Sequence, residues 1–317
     1  MKHLLGIQQL QRAEIEALFK VAAKLKRNRG VFVETALKGQ TWALLFSKPS
    51  TRTRVSFEVG IRELGGGVMF LNANDVQLGR GESIADTARV FGRMVHGTVI
   101  RTFAHRDVED FAKFSDTPTI NALTDDEHPC QILTDIFTFE EKRASIAGKV
   151  VAFFGDGVCN VANSWLFAAA KLDFEFRIAA PVKYQPSAEL RALAGGNIIC
   201  TTDPRAAAQG ADLLYTDVSV SMGREEETAE RLRELAPYQI NQAIVECAKP
   251  DALVMHCLPA HRGEEIDEKT FEMNAATIFD QAENRLHVQK AILVDCGTSW
   301  RWARASIDSD DVTAPLE

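Results

Sequence analysis

Short apolar runs of β character alternate with amphipathic helical stretches along most of the chain. Residues 41–47 (TWALLFS) lead into a helical stretch that runs through Glu58 and Leu64, and residues 68–71 lead into a helix over 83–94. Residues 98–103 precede a helix near 108–114, and 119–123 precede a long one from about 131 to 142. The pattern restarts at 149–154 and continues with β-type runs at 176–180, 198–201, 211–216 and 253–258. Strand and helix in alternation predict parallel sheets covered on both faces. The expected class is therefore α/β, with two doubly wound parallel-sheet domains of similar size joined by interdomain helices. The restart near Ala147 and Gly148 divides the chain into residues 1–142 and 143–285, and 317 residues suit two domains of roughly 150 each.

Composition narrows the class of function. The chain is 46% hydrophobic and 25% charged, as a globular protein is, and its formal net charge of −8 argues against nucleic acid or an anionic membrane as the main partner. Polar residues interrupt the N-terminal stretch as no signal peptide allows, and no run has the length of a membrane span, so a cytoplasmic location is expected. The six cysteines (130, 159, 200, 247, 257 and 296) form no CxxC pair and fit reduced thiols better than a disulfide framework.

The densest polar cluster lies between the first strand and its helix: Ser47, Lys48, Pro49, Ser50, Thr51, Arg52, Thr53, Arg54. Ser50 is a capping residue type, and a helix N-terminus presents unpaired N–H groups and partial positive charge. Hydroxyls and two arginines in the same turn suit a phosphate dianion. Taken as an isolated Ser-Thr-Arg string, the cluster reads better as a capped helix with solvated arginines.

It does not stand isolated. Ser-Thr-Arg-Thr-Arg followed by Ser56-Phe57-Glu58 resembles the carbamoyl-phosphate signature of the aspartate/ornithine carbamoyltransferases, and the resemblance runs from about Leu5 to Ile292. Leu78 to Ser83, Asp86 to Arg89, Ile100 to Phe103 and His128 to Gln131 are further matching blocks in the same order. The resemblance implies that Ser50, Thr51, Arg52 and Thr53 hold the phosphate of carbamoyl phosphate, and that residues 1–142 bind that substrate. It implies that Arg101, His128, Pro129, Cys130 and Gln131 serve the carbamoyl end, where fixed donors stabilise charge developing on the carbonyl oxygen. Standing alone, Arg101 would read as a strand-end ion-pair partner and His128 as a turn histidine. Gln77, in the loop before Leu78, is implied to reach the site of a neighbouring subunit in a homotrimer.

The second half bears on the acceptor. Gly155-Asp156-Gly157 after the strand at 149–154 lacks the G-x-G-x-x-G spacing of a dinucleotide loop, and Asp156 sits where pyrophosphate would approach. By resemblance, Asn160 holds ornithine's backbone end, although Cys159 replaces the first of two asparagines usual in the family. The run Asp217 to Gly223 matches D-x-x-x-S-M-G, implying that Asp217, Ser221 and Met222 bind the amino acid. His256-Cys257-Leu258-Pro259 resembles the ornithine branch, in contrast to the His-Pro-Leu-Pro-Arg type of the aspartate branch. Cys257, Leu258 and Arg285 are then expected beside the carbamoyl group, with Arg101, His128, Asp217 and Cys257 taking part in catalysis. The two histidines flanking Cys257 form no complete metal-ligand set, and neither metal nor cofactor is expected.

The activity implied is transfer of a carbamoyl group from carbamoyl phosphate to the side-chain amine of L-ornithine, within residues 143–285 for the acceptor. A different amine acceptor, a non-catalytic binding homologue and, from fold alone, a nucleotide-dependent oxidoreductase are the competing readings. Towards the C-terminus the family's helix, here residues 286–305, is expected to pack back on the first domain. Asp295 to Trp300 interrupt its apolar pattern, and residues 306–317 read as a disordered tail.

Overall fold

The computed structural model describes residues 2–72, 81–220 and 228–308, with side chains through 298. In chain order the helices and strands are α1 Arg12–Asn28, β1 Thr41–Phe46, α2 Thr51–Glu63, β2 Gly67–Asn72, α3 Ile84–Met94, β3 Gly97–Arg101, α4 His105–Ser115, β4 Thr119–Leu123 and α5 Pro129–Arg143. There follow β5 Val150–Phe154, α6 Asn160–Leu172, β6 Glu175–Ala179, α7 Ala188–Ala194, β7 Asn197–Thr201, α8 Pro204–Ala208, β8 Leu213–Thr216, α9 Thr228–Leu235, α10 Gln242–Val245, β9 Leu253–His256 and α11 Glu268–Asp308. The strands form two parallel sheets, β2-β1-β3-β4 and β7-β6-β5-β8-β9. This is the α/β class with two parallel sheets that the alternation predicts.

By contacts the chain divides into two compact units. The first comprises residues 1–9, 13–125 and 286–317, and the second 10–12 and 126–285. The helix at 129–143 thus groups with the second unit, and the second division falls inside α11.

In the first unit, strand alternation sorts side chains onto two faces. Leu45 and Ile100 pack with Ala88, Val108, Phe111 and Ala112 of α3 and α4. On the other face Trp42, fully buried, donates its indole N–H to Gln40 Oε1 at 3.0 Å. Gly297 of α11 lies against the same group: a Cβ there would stand 2.7 Å from Leu37 Cδ2 and 3.3 Å from Trp42 Cζ2, and Gln40 donates to the Gly297 carbonyl at 3.3 Å.

That contact corrects the expected interruption at Asp295 to Trp300. The helix continues through them to Asp308, so residues 306–308 are helical as well. Cys296 is fully buried, Thr298 donates its hydroxyl back to the Val294 carbonyl at 2.7 Å, and the side-chain-free Gly297 allows close approach to Leu37. Weak local helix propensity is overridden by packing. Lys290, buried on the same helix, is neutralised by Glu63 at 2.8 Å.

In the second unit, Ala152, Phe154, Leu214 and Val254 face Ala207, Ala208, Ile244 and Ile278. The opposite face is aromatic: Phe153 stacks on Tyr215 at 6.0 Å, and Trp165 of α6 meets Tyr215 edge-on at 5.4 Å.

A close approach within the first sheet tests its packing. A Cβ on Gly97 would lie 2.5 Å from the Trp42 ring. Gly97→Ala should lower unfolding free energy by about 1–3 kcal/mol, read from urea denaturation followed by tryptophan fluorescence.

Candidate active site

Both sheets change direction beside their central strand. In the first, β1 leads to β2 on one side while β3 lies on the other, with Phe46 opposite Arg101. In the second, β5 leads to β6 on one side and β8 lies on the other, with Phe154 opposite Thr216. A crevice opens beyond the carboxyl ends of the strands at such reversals.

At the first reversal Ser50 caps α2 in extended conformation, its hydroxyl accepting from the Thr53 amide at 3.3 Å. The amides of Thr51 and Arg52 precede the first intrahelical bonds and remain donors for an anion. Arg52 is half-buried in this turn. Arg54 differs from the sequence reading: its guanidinium lies 3.7 Å from the centre of the Phe70 ring and 3.6 Å from Glu58 Oε2, away from the capping turn's role. Arg101 is 5% exposed at the end of β3, where the pairing register with β4 shifts between Ile100 and Arg101. Such an irregularity re-aims a side chain. Lys48, which the sequence did not single out beyond its place in the cluster, is buried, ion-paired with Asp125, and 4.3 Å from the centre of the Phe103 ring.

In the second unit His128 caps α5, with Pro129 and Cys130 buried in its first turn, and its backbone N–H donates to Ser164 at 2.9 Å. Gln131 accepts from Arg285 through Oε1 and donates through Nε2 to Asp135 at 2.8 Å. Asn160, half-buried, begins α6 after Cys159, whose sulfur accepts the Ala162 amide at 3.4 Å.

Asp217 follows β8, and Cys257 follows β9, the adjacent strand. The Cys257 thiol donates to Asp217 Oδ1 at 2.8 Å. Burial first, and then the Asp217 charge, pushes the Cys257 thiol well above its ordinary value, so it remains protonated near neutrality. Burial raises Asp217 as well, against the hydrogen bond from Cys257 that lowers it. The pair therefore divides its roles: the carboxylate accepts and the thiol donates.

The loop after Cys257 is held through His256. Its Nδ1 accepts the Leu258 amide at 2.9 Å, which leaves Nε2 to donate to Glu265 at 2.9 Å. Leu258 sits at φ 58, a left-handed conformation unfavourable for a branched side chain, and precedes a cis bond to Pro259. After Asp217, Ser219 is fixed by Arg231, which donates to its carbonyl at 3.0 Å and forms a buried ion pair with Asp156. Asp156 is thus occupied by a cation of the protein itself.

Asp135, Tyr215, Gln281, Glu265 and Arg231 escaped the sequence reading. Asp135 could have been found, because it lies one helical turn after Gln131 and is the one charged residue among residues 129–139. Tyr215 lies on β8, two residues before Asp217, close enough in sequence to have been considered with it. Arg231 carried no local signal. Gln77, Ser221 and Met222 lie outside the described residues.

Helix N-terminal amides beside Arg101 in the first unit suit an anion, and the Asp217 carboxylate in the second suits a cationic or hydrogen-bond-donating group. Residues 2–141 match the carbamoyl-P binding domain, and residues 147–296 the Asp/Orn binding domain, of aspartate/ornithine carbamoyltransferase. The chain belongs to the aspartate/ornithine carbamoyltransferase family. An ornithine carbamoyltransferase from Akkermansia muciniphila is 53% identical, covering 92% of this chain and 97% of its own length. The anabolic ornithine carbamoyltransferase of Pseudomonas aeruginosa is 50% identical over 92% and 96%. The crystal structure of the anabolic ornithine carbamoyltransferase from Campylobacter jejuni aligns with a TM-score of 0.89 at 41% identity, covering 94% of this chain and all of that one. Among the described residues no helix is long and apolar enough to cross a membrane.

The Asp217–Cys257 pair makes a chemical prediction. Asp217→Asn removes both the charge and the full strength of the acceptor that disfavour thiolate. Alkylation of Cys257 by iodoacetamide at pH 8, followed peptide by peptide by mass spectrometry, should therefore accelerate several-fold. An unchanged or slower rate would contradict the electrostatic assignment.

Proposed function

We propose that this chain transfers the carbamoyl group of carbamoyl phosphate to the side-chain amine of L-ornithine, giving L-citrulline and phosphate. The observation that carries the choice of acceptor is the Asp217–Cys257 pair at 2.8 Å, in the sequence context that resembles the ornithine branch. The ornithine enzymes about 50% identical to the chain support the same choice. The proposed direction is biosynthetic, towards arginine, as the word anabolic in the names of the Pseudomonas and Campylobacter relatives suggests.

In this reading the amides and hydroxyls of Ser50, Thr51 and Thr53, with Arg52, hold the phosphate. Arg101, His128, Gln131 and Arg285, with the Leu258 carbonyl, orient the carbamoyl group. Asn160, Asp217, Ser221 and Met222 hold ornithine. A primary amine with a pKa of about 10.4 is neutral in roughly one molecule per thousand at pH 7. Asp217 attracts the ammonium end of the amino acid, and the Cys257 thiol, held as a donor, stays out of covalent chemistry. The amine lone pair attacks the carbamoyl carbon, the bond to the phosphate oxygen breaks, and phosphate leaves with that electron pair. The nitrogen's surplus proton passes to the departing phosphate. Donors fixed at the carbonyl oxygen stabilise the intermediate charge. No cofactor enters the reaction. We further propose a cytoplasmic homotrimer in which Gln77 of a neighbouring subunit completes the phosphate site.

Two measurements test the assignment. Citrulline should form from ornithine and carbamoyl phosphate, with turnover rising between about pH 7 and 9 as the neutral amine becomes more abundant. Failure to use ornithine while another amine is carbamoylated would transfer the assignment to that amine. Arg52→Met should lower kcat/KM for carbamoyl phosphate by about a hundredfold or more, and parental activity at low donor concentration would exclude Arg52 from the phosphate site.

A further inference from the structure

Gln131 is held in one orientation by two opposed demands. An amide oxygen and nitrogen are nearly identical in shape, so their partners decide which way the group faces. Arg285 has only donors and takes Oε1; Asp135 takes a proton of Nε2 at 2.8 Å. One Nε2 proton then remains for a further acceptor.

Asp135 is itself fixed from three sides. Its Oδ1 accepts from Gln131 and from Gln281 at 2.7 Å, and its Oδ2 accepts the Tyr215 hydroxyl at 2.7 Å. All of these side chains are at most 3% exposed, Arg285 included. Gln281 extends the set, accepting the backbone N–H of His256, next to Cys257, at 3.1 Å.

We propose that Asp135, Tyr215 and Gln281 are positioning residues that fix the facing of the Gln131 amide, and with it the N–H offered to the carbamoyl group. The inference rests on the carbamoyl-phosphate reading above and deepens it: the group touching substrate is set by three residues that do not touch it. The arrangement is costly to the fold. Burial outweighs the donors of Tyr215, Gln281 and Gln131 and holds the Asp135 carboxyl up at about 6. Because the folded value lies above the ordinary one, stability is lost as pH rises from about 4 to about 6 and Asp135 ionises. A carboxamide or an apolar residue would avoid that loss, so packing alone does not account for an acid here.

A double-mutant cycle decides the matter. Tyr215→Phe removes one hydroxyl and keeps the ring that stacks on Phe153. It should lower kcat/KM for carbamoyl phosphate about tenfold in the parent, but less than about twofold when Gln131 is already Leu. The same cycle read as carbamoyl phosphate affinity by calorimetry should give the same coupling. Asp135→Asn, similar in shape, is run alongside in case the phenylalanine variant does not fold, and should show the same dependence on Gln131. Equal losses in both backgrounds, or a lowered Tm with kcat/KM unchanged, would overturn the proposal. A parent that binds carbamoyl phosphate but makes no citrulline would overturn the choice of acceptor and leave the binding cycle decisive. A parent that binds no carbamoyl phosphate would overturn both.

Discussion

Parallel strands place all their carboxyl ends along one edge of a sheet, and this constraint governs where chemistry can gather in the protein. Only at a reversal of strand order do the connecting segments diverge, leaving side chains and helix amides uncovered. The reversal beside β1 exposes the α2 N-terminus next to Arg101, and the one beside β5 brings the start of α6 next to Asp217. Neither group needs an unusual element. Each depends on an ordinary strand buried by alternation: Leu45 and Trp42 on opposite faces of one sheet, Phe154 and Phe153 on those of the other.

Charge in the second unit is managed by pairing and by neutral donors. Arg231 and Asp156, both nearly inaccessible, neutralise one another, and Arg231 satisfies a backbone carbonyl besides. Asp135 instead collects hydrogen bonds from two amides and a phenol. Buried polar groups tolerate low dielectric only when satisfied in this way, and satisfaction restricts each of them to one geometry. Cys257 shows the other side of the same physics: a thiol beside a buried carboxylate is kept from ionising and becomes a donor of fixed direction.

Much of this was legible in the chain itself because the signals are local. The sheets follow from apolar runs, the α2 cap from Ser50 with the hydroxyls and arginines behind it, and the places of Asp217 and Cys257 from short segments directly after strands. What was not legible depends on partners distant in sequence. Asp295 to Trp300 have poor intrinsic helix propensity, and only Leu37 and Gln40, more than two hundred residues earlier, explain why the helix continues there. Arg54 looked equivalent to Arg52 until Phe70 and Glu58 were seen to occupy it. Tyr215 reads as a core aromatic, and its hydroxyl gains meaning only from Asp135 on another element.

The grip of Arg231 on Ser219 and Asp156 bears on how the second unit holds its strand ends in place. One guanidinium ties α9 to the segment after β8 and to the segment after β5, so three stretches distant in sequence are fixed by a single side chain. The arginine thus acts as a rivet, and whatever frees it frees all three stretches at once.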